Sequence, residues 1–422
     1  MKEISTSEFE SEVLNSGKVV LDFYSTECPP CEAVAPKFEN LSNLYGKDIK
    51  FLKIFRQQNR ELADKLGVKS SPTLLFYDNG VEVGNRLTGG VKRGEIIENL
   101  NLLISEQRKS EILSNIKPIT TNYDVIILGG GPGGLTAGLY LCQARINTVI
   151  IDIALPGGNV STTHEVSNYP GFIDPQPGYM LSHNMSEQTK LCGTSYKVAV
   201  DVTKVDLLKK EVIIDEFETV KAKKIIIATG TSPNKMNIPG EAEYKGKGVS
   251  YCATCDAKYY VDKDVVVIGG GNSAVEEADF ITKFAKTVTM IHQFDKLTAN
   301  MQAQEKLLSN PKVKVLFEHE PRAFVKDGDK MIVEVEDLKT KSKSKIIADG
   351  VFVFIGMKSN IEIFKDSLTL DNWGYLKTDE DMQTNIPDVY AVGDVVSKKY
   401  RQITTAVADG TIAAISITKE LN

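Results

Sequence analysis

An α/β chain built from several units is what the 422 residues predict, and three observations predict it. Two stretches, residues 124–134 and 264–274, read as a buried strand, a glycine loop and the start of a helix. That is how a doubly wound, Rossmann-like dinucleotide-binding unit opens. Cys28 and Cys31 follow a short apolar run and precede a helical pattern, which puts another α/β unit in front. The length exceeds one ordinary core and asks for two to four domains.

Composition narrows the function classes. With 42% apolar and 25% charged residues the chain reads as globular. A net charge of −6 speaks against a nucleic-acid footprint, which needs a basic patch. No apolar run reaches the roughly 18–20 residues of a membrane span, so no membrane partner is expected. Met1 to Ser5 do not open an apolar signal segment, so a reducing, cytoplasmic location is expected. Cysteines there are catalytic or metal-binding more often than structural. The pairs Cys28/Cys31 and Cys252/Cys255 lie much further apart than the about 15–20 residues of a zinc ribbon. His164, His183, His292 and His319 show no ligand spacing, so no metal is expected. Cys142 and Cys192 read as small core residues.

In the first unit, residues 19–24 form a strand-type run. Val34, Phe38, Leu41 and Leu44 then recur at helical spacing. Cys28 therefore sits at a helix N-terminus, where the dipole favours thiolate. Asp22, the one ionisable group inside the apolar strand, is expected to be buried with a raised pKa and to relay a proton to a thiol. A strand at 51–55, a helix at 60–66 and a strand entered through Ser71, Pro72 and Thr73 follow. This order resembles the thioredoxin family over residues 1–107. The resemblance implies a cis Pro72 against the disulfide, Cys28 as attacking sulfur and Cys31 as resolving sulfur. Glu27 and Pro29 stand where that family usually has Trp and Gly, which alters the surface offered to partners. Residues 108–123 read as a flexible linker of roughly 20–24 Å r.m.s. reach, giving a millimolar effective concentration.

The next unit carries Gly129, Gly131 and Gly134 between an apolar strand and a helix at 135–144, and Asp152 ends the following strand. Such glycines let the backbone approach a pyrophosphate, and the acid takes a ribose hydroxyl. Further on stand Gly158, Asn159, Asn168, an apolar strand ending at Thr229, and a second ending at Gly393 and Asp394. Together these resemble the low-molecular-weight bacterial thioredoxin reductases over residues 122–422. The resemblance implies FAD, with Asp394 on its ribityl chain and Arg401 and Gln402 following over the ring. It also divides the chain: a flavin domain in two parts, 124–233 and 358–422, encloses a second dinucleotide domain at 234–357.

Residues 248–256, around Cys252 and Cys255, match the redox site of that family. By resemblance Cys255 lies nearer the flavin and Cys252 outside, and Asp256 is the expected proton donor. A disulfide placed in the second domain implies a hinge rotation about residues 232–238 and 354–360. Gly269, Gly271, Asn272 and Ala274 repeat the dinucleotide loop in its Gly-x-Gly-x-x-Ala form. NADPH readers of the family place arginines after the next strand, because a 2′-phosphate wants a guanidinium fork. Here His292, Gln293 and Phe294 stand there, and no arginine lies between Gly271 and Arg322. Gln293 suits a free 2′-hydroxyl, so NADH is expected over NADPH. This stretch and residues 352–357 are also similar to the NADH-linked flavoprotein subunit of alkyl hydroperoxide reductase.

The leading expectation is an enzyme, a disulfide oxidoreductase passing electrons from NADH through FAD and Cys252/Cys255 to the chain's own Cys28/Cys31. A flavoprotein fed by ferredoxin or another carrier is allowed by the missing arginines, though the intact second glycine loop speaks against it. A client-binding thioredoxin-like module is a further reading, opposed by the four retained cysteines. The outside acceptor stays open between a peroxiredoxin, another disulfide protein and a small-molecule disulfide. A homodimer is expected from the resemblance alone.

Overall fold

The computed structural model describes residues 1–163, 166 and 168–421. The sequence features at His164, Glu165 and Ser167, and the side chain of Cys255, lie outside that description. By packing, the chain divides into two compact units. Met1–Ser161, Met180–Gly230 and Ile361–Asn422 make the first; Thr162–Tyr179 and Thr231–Asn360 make the second.

The first unit opens with β1 (Lys2–Glu3), β2 (Lys18–Tyr24), α1 (Pro29–Tyr45), β3 (Lys50–Phe55), α2 (Arg60–Lys65), β4 (Thr73–Asp78), β5 (Val81–Thr88), α3 (Arg93–Asn101) and α4 (Glu106–Ser114). The sheet order is β1-β3-β2-β4-β5. β2 lies parallel to β3 and antiparallel to β4, so it is central and covered on both faces. That is why residues 19–23 are buried without alternation.

The stretch expected as a flexible linker is instead structured. Ser105 caps α4 by accepting from Arg108 N–H at 3.3 Å, and Ile112 buries into the thioredoxin-fold core. Beyond the end of α4, β6 (Ile119–Asn122) pairs in parallel with a later strand. A helix cap and a β-branched Ile-Thr-Thr run are what resist the coil expected there.

The chain continues through β7 (Val125–Leu128), α5 (Pro132–Gln143), β8 (Thr148–Asp152), α6 (Gly178–Cys192), β9 (Ser195–Val198), β10 (Val202–Asp206), β11 (Glu211–Ile214), β12 (Glu218–Lys221) and β13 (Lys224–Ile227). The second unit holds β14 (Thr231–Pro233), β15 (Val249–Ser250), α7 (Ala253–Asp256), β16 (Asp264–Ile268), α8 (Asn272–Ile281), β17 (Thr287–His292), α9 (Met301–Leu308), β18 (Val313–Phe317), β19 (His319–Asp327), β20 (Lys330–Asp337), β21 (Lys343–Ala348), β22 (Gly350–Val353) and β23 (Met357–Ser359). β24 (Val389–Ala391) and α10 (Ile403–Leu421) return to the first.

Each unit contains a five-stranded parallel sheet, β24-β13-β7-β8-β9 in the first and β15-β22-β16-β17-β18 in the second. In both, the glycine loop leaves an inner strand (β7, β16) and starts a helix (α5, α8), the doubly wound arrangement the motifs called for. A small sheet, β10-β11-β12-β6, and an antiparallel meander, β19-β20-β21, went unread in the sequence, although Asp327 and Gly328 at the junction of β19 and β20 are a hairpin turn signal.

Candidate active site

Cys28 caps α1, accepting Cys31 N–H on its sulfur at 3.2 Å, and the two sulfurs are joined in a disulfide. Pro29 and Pro30 occupy the first helical positions, where a missing N–H removes no bond. The Ser71–Pro72 peptide is cis, and the Ser71 carbonyl lies 3.5 Å from Cys28 Sγ. Both cysteines are nearly covered, 7% and 8% exposed. Asp22 sits mid-strand in β2, 3% exposed, and its Oδ1 has no hydrogen-bond partner among the described residues. Burial pushes its carboxyl up to about 7, only partly offset by the Lys53 charge.

The helix bearing the disulfide docks on the flavin-type domain. Lys37 of α1 donates to the carbonyls of Val91 (2.9 Å), Val198 (3.0 Å) and Ala199 (2.7 Å). Burial lowers its pKa to about 8. Lys92 pairs with Asp201 at 2.7 Å, Glu32 pairs with Lys190 of α6, and the Arg93 guanidinium stacks 4.4 Å from the Phe217 ring centre. A cavity of about 430 Å³ remains along this contact, with Pro29 and Pro36 facing Leu155, Pro156 and Tyr196.

Around the first glycine loop the backbone leaves no room for side chains. A Cβ on Gly129 would fall 2.3 Å from the Ala228 carbonyl oxygen, and one on Gly134 would fall 2.1 Å from that of Gly129. Gly131 is different: no described atom lies within 4 Å of its would-be Cβ, and it caps α5 without a side chain of its own. An open cradle at a helix N-terminus suits a pyrophosphate. Asp152 is turned inward, its carboxylate accepting Gly130 N–H at 2.6 Å and Ala154 N–H at 2.9 Å. These two bonds fix the shape of the loop. Gly158 packs against Gly131, with Asn159 in the same turn; Thr229 follows β13. Asp394 is half-buried and burial raises its pKa, so a hydroxyl donor would be welcome there. Arg401 does not extend freely: it stacks 3.6 Å from the Tyr375 ring centre and donates to the carbonyls of Asp394 and Val396. Gln402 N–H donates to Thr405 Oγ1 at 3.1 Å, and Asn168 lies in the second unit.

In the second unit Cys252 precedes α7 and its sulfur is in a disulfide. Its N–H donates to Ser250 Oγ at 3.1 Å, and its sulfur lies 3.8 Å from the Thr162 carbonyl. Asp256 ends α7 half-buried, its N–H reaching the Cys252 carbonyl at 3.3 Å. The second glycine loop repeats the first. A Cβ on Gly269 would meet the Phe354 carbonyl at 2.1 Å and the Ala274 methyl at 3.0 Å, which is why a small residue stands at 274. Gly271 is open and caps α8, and Asn272 Oδ1 accepts from Asn300 N–H at 2.7 Å. β17 ends at His292, which is buried against Gly270 and bonds the Lys296 carbonyl at 3.1 Å. Gln293 and Phe294 beyond it are exposed. Arg322 is engaged with Glu320 at 2.6 Å and Glu336 at 2.9 Å.

Residues 123–410 match the family described as pyridine nucleotide-disulphide oxidoreductase, and residues 1–102 match the thioredoxin family. The chain belongs to the pyridine nucleotide-disulphide oxidoreductase family. A 34.2 kDa protein in the rubredoxin operon of Clostridium pasteurianum is 43% identical over 297 residues, 70% of this chain and 96% of that one. The thioredoxin reductase of Peptoclostridium acidaminophilum is 42% identical over 304 residues, 70% and 96%. Among solved structures, Lactococcus lactis thioredoxin reductase superposes with a TM-score of 0.67 at 38% identity, covering 70% of this chain and 98% of that one. The T. acidophilum thioredoxin reductase gives 0.66 at 32%, covering 71% and 99%. The protein is a thioredoxin reductase-like flavin disulfide oxidoreductase carrying its own thioredoxin domain.

Family membership implies FAD and a pyridine nucleotide, and the two open glycine cradles fit two dinucleotides. Two supporting residues were not read in the sequence. Asp409, buried in α10, accepts Gly393 N–H at 2.9 Å and Lys398 Nζ at 2.6 Å, holding the turn that presents Asp394. Glu241, also buried, accepts Met236 N–H (2.9 Å), Asn237 N–H (2.5 Å) and the Tyr251 hydroxyl (2.5 Å), anchoring the residue before Cys252. Its being the one charged residue between Arg401 and Lys419 was the available signal for Asp409.

Proposed function

We propose that the protein is an NADH-dependent disulfide reductase whose first acceptor is its own thioredoxin domain, which then reduces an external disulfide, such as that of a peroxiredoxin. Bound FAD would supply the two-electron step between the nicotinamide and the Cys252/Cys255 disulfide. Gly131, Gly158, Asn159, Asp394 and Gln402 would hold it, and Gly271, Asn272 and Gln293 would hold the nucleotide. Asp256 would return a proton to the leaving thiol of that pair. Cys28 would then attack outside disulfides and Cys31 resolve them, with Asp22 keeping a proton available near neutral pH.

The donor assignment rests on one observation. After His292 the chain offers the exposed amide of Gln293, while Arg322 is occupied by Glu320 and Glu336. An amide bonds a ribose hydroxyl but leaves a phosphate dianion uncompensated. Steady-state kinetics with each nucleotide test this. NADH is expected to give the higher kcat/KM, and Gln293→Arg to move the ratio toward NADPH. A wild-type preference for NADPH, or no anaerobic flavin bleaching by either nucleotide, overturns the donor.

A further inference from the structure

Cys142 and Cys192 take no part in that electron route. The sequence suggested core residues, yet both are half-exposed and free. Leu135, Gly138 and Cys142 recur at helical spacing and share one face of α5; Thr189 and Cys192 share a face at the end of α6. These faces are locked together. Thr189 Oγ1 donates to the Leu135 carbonyl at 3.1 Å and Thr194 Oγ1 to that of Gly138 at 3.0 Å. Gly138 is there because a Cβ would come within 3.1 Å of the Thr189 methyl and of Ile150 Cδ1, and within 3.4 Å of the Thr194 methyl. At the open end of this seam Cys142 Sγ reaches the Cys192 carbonyl at 2.7 Å, and the neighbouring Cys142 thiol raises the Cys192 pKa. Gly193 turns the chain at φ 113°, its would-be Cβ 3.5 Å from Cys142 Sγ.

We propose that Cys142 and Cys192 form a third, reversible disulfide, a redox-sensitive brace between α5 and α6. The brace ties the helix that begins at the Gly131 cradle to the helix whose Lys190 meets Glu32 of the thioredoxin domain. The oxidant is a low-molecular-weight disulfide, R–S–S–R. The Cys142 thiolate attacks one of its sulfurs and releases the first R–S⁻. The Cys192 thiolate then attacks Cys142 Sγ in the mixed disulfide and releases the second. Two protein thiols are oxidised, one R–S–S–R becomes two R–SH, and the two thiol protons pass to the leaving sulfurs. Both cysteines sit in the last turn of a helix, where the dipole disfavours thiolate, so the exchange quickens as pH rises.

The test uses the full-length, FAD-loaded protein equilibrated at pH 8 over a range of oxidised to reduced glutathione, quenched by alkylation, digested and mapped by mass spectrometry. The expected result is a peptide pair linked through Cys142 and Cys192, with two fewer alkylated thiols per chain. Dithiothreitol should reverse it, and Cys142→Ser and Cys192→Ser should each abolish it. Separate glutathione adducts on the two sulfurs, full alkylation of both at every ratio, or a link formed only after denaturation would overturn the brace.

Discussion

Asp22 shows how one side chain separates fold from function. Its folded pKa of about 7 lies above the ordinary 3.8, so between those values the folded state binds more protons than the unfolded one. Stability from this residue therefore falls as pH rises through that window: below about 4 both states are protonated, and above about 7 the full penalty is felt. Moving the carboxyl that far corresponds to about 4 kcal/mol. Asp22→Asn removes the charge, so its melting temperature relative to wild type should climb between pH 4 and pH 8. A difference that stays flat across that range would refute the raised pKa. Reduction of external disulfides should slow in the same variant, since the proton source is gone. The sequence made Asp22 legible because a carboxylate within five apolar strand residues has no solvent to face. It did not make Asp152's inward role legible: which atoms a loop carboxylate grips depends on backbone amides that only the turn at Gly130 presents.

At the scale of elements, the two strand–glycine–helix units were readable because steric closeness leaves no alternative to glycine at positions 129, 134 and 269. The elements supporting them were not. Asp409 lies 16 residues after Gly393 in the chain, and the bond that joins them exists only once α10 packs against α5. Removing that carboxylate leaves Gly393 N–H and Lys398 without their buried partner. The loss of charge-assisted bonds of this kind is about 1.5–3 kcal/mol. Asp409→Ala is accordingly expected to weaken FAD affinity ~10- to 100-fold while leaving the fold intact. Fluorescence titration of the apoprotein with FAD measures it, and unchanged affinity would remove Asp409 from the cradle. The same blindness explains the linker. Composition at 108–123 reads as coil, but Ser105's cap and the pairing of β6 with β12 draw on partners outside that window.

Over the first unit as a whole, the placement of the thioredoxin domain rests on few polar contacts, and they differ in weight. Glu32–Lys190 and Lys92–Asp201 are surface pairs worth at most about 1 kcal/mol each. Lys37 is another matter, because its cation sits inside a cage of three carbonyls, two of them contributed by Val198 and Ala199 some 160 residues on. No sequence pattern announces such a site: backbone carbonyls carry no residue signature, and a lysine in α1 reads as a solvated face. Ala199 holds φ 52°, a left-handed turn that aims its carbonyl at the ammonium. Lys37→Met keeps the packing length of the side chain but orphans those oxygens, at about 3 kcal/mol, or ~10²-fold in the docking equilibrium. Hydrogen exchange on the full-length protein reads this directly. Amides at 90–94 and 198–201 should exchange ~10²-fold faster in the variant, while those of β2 and β7, inside their own sheets, keep wild-type protection. Unchanged exchange at the two docking segments would show that the apolar contact of Pro29, Pro36, Leu155 and Pro156 holds the domain without the lysine.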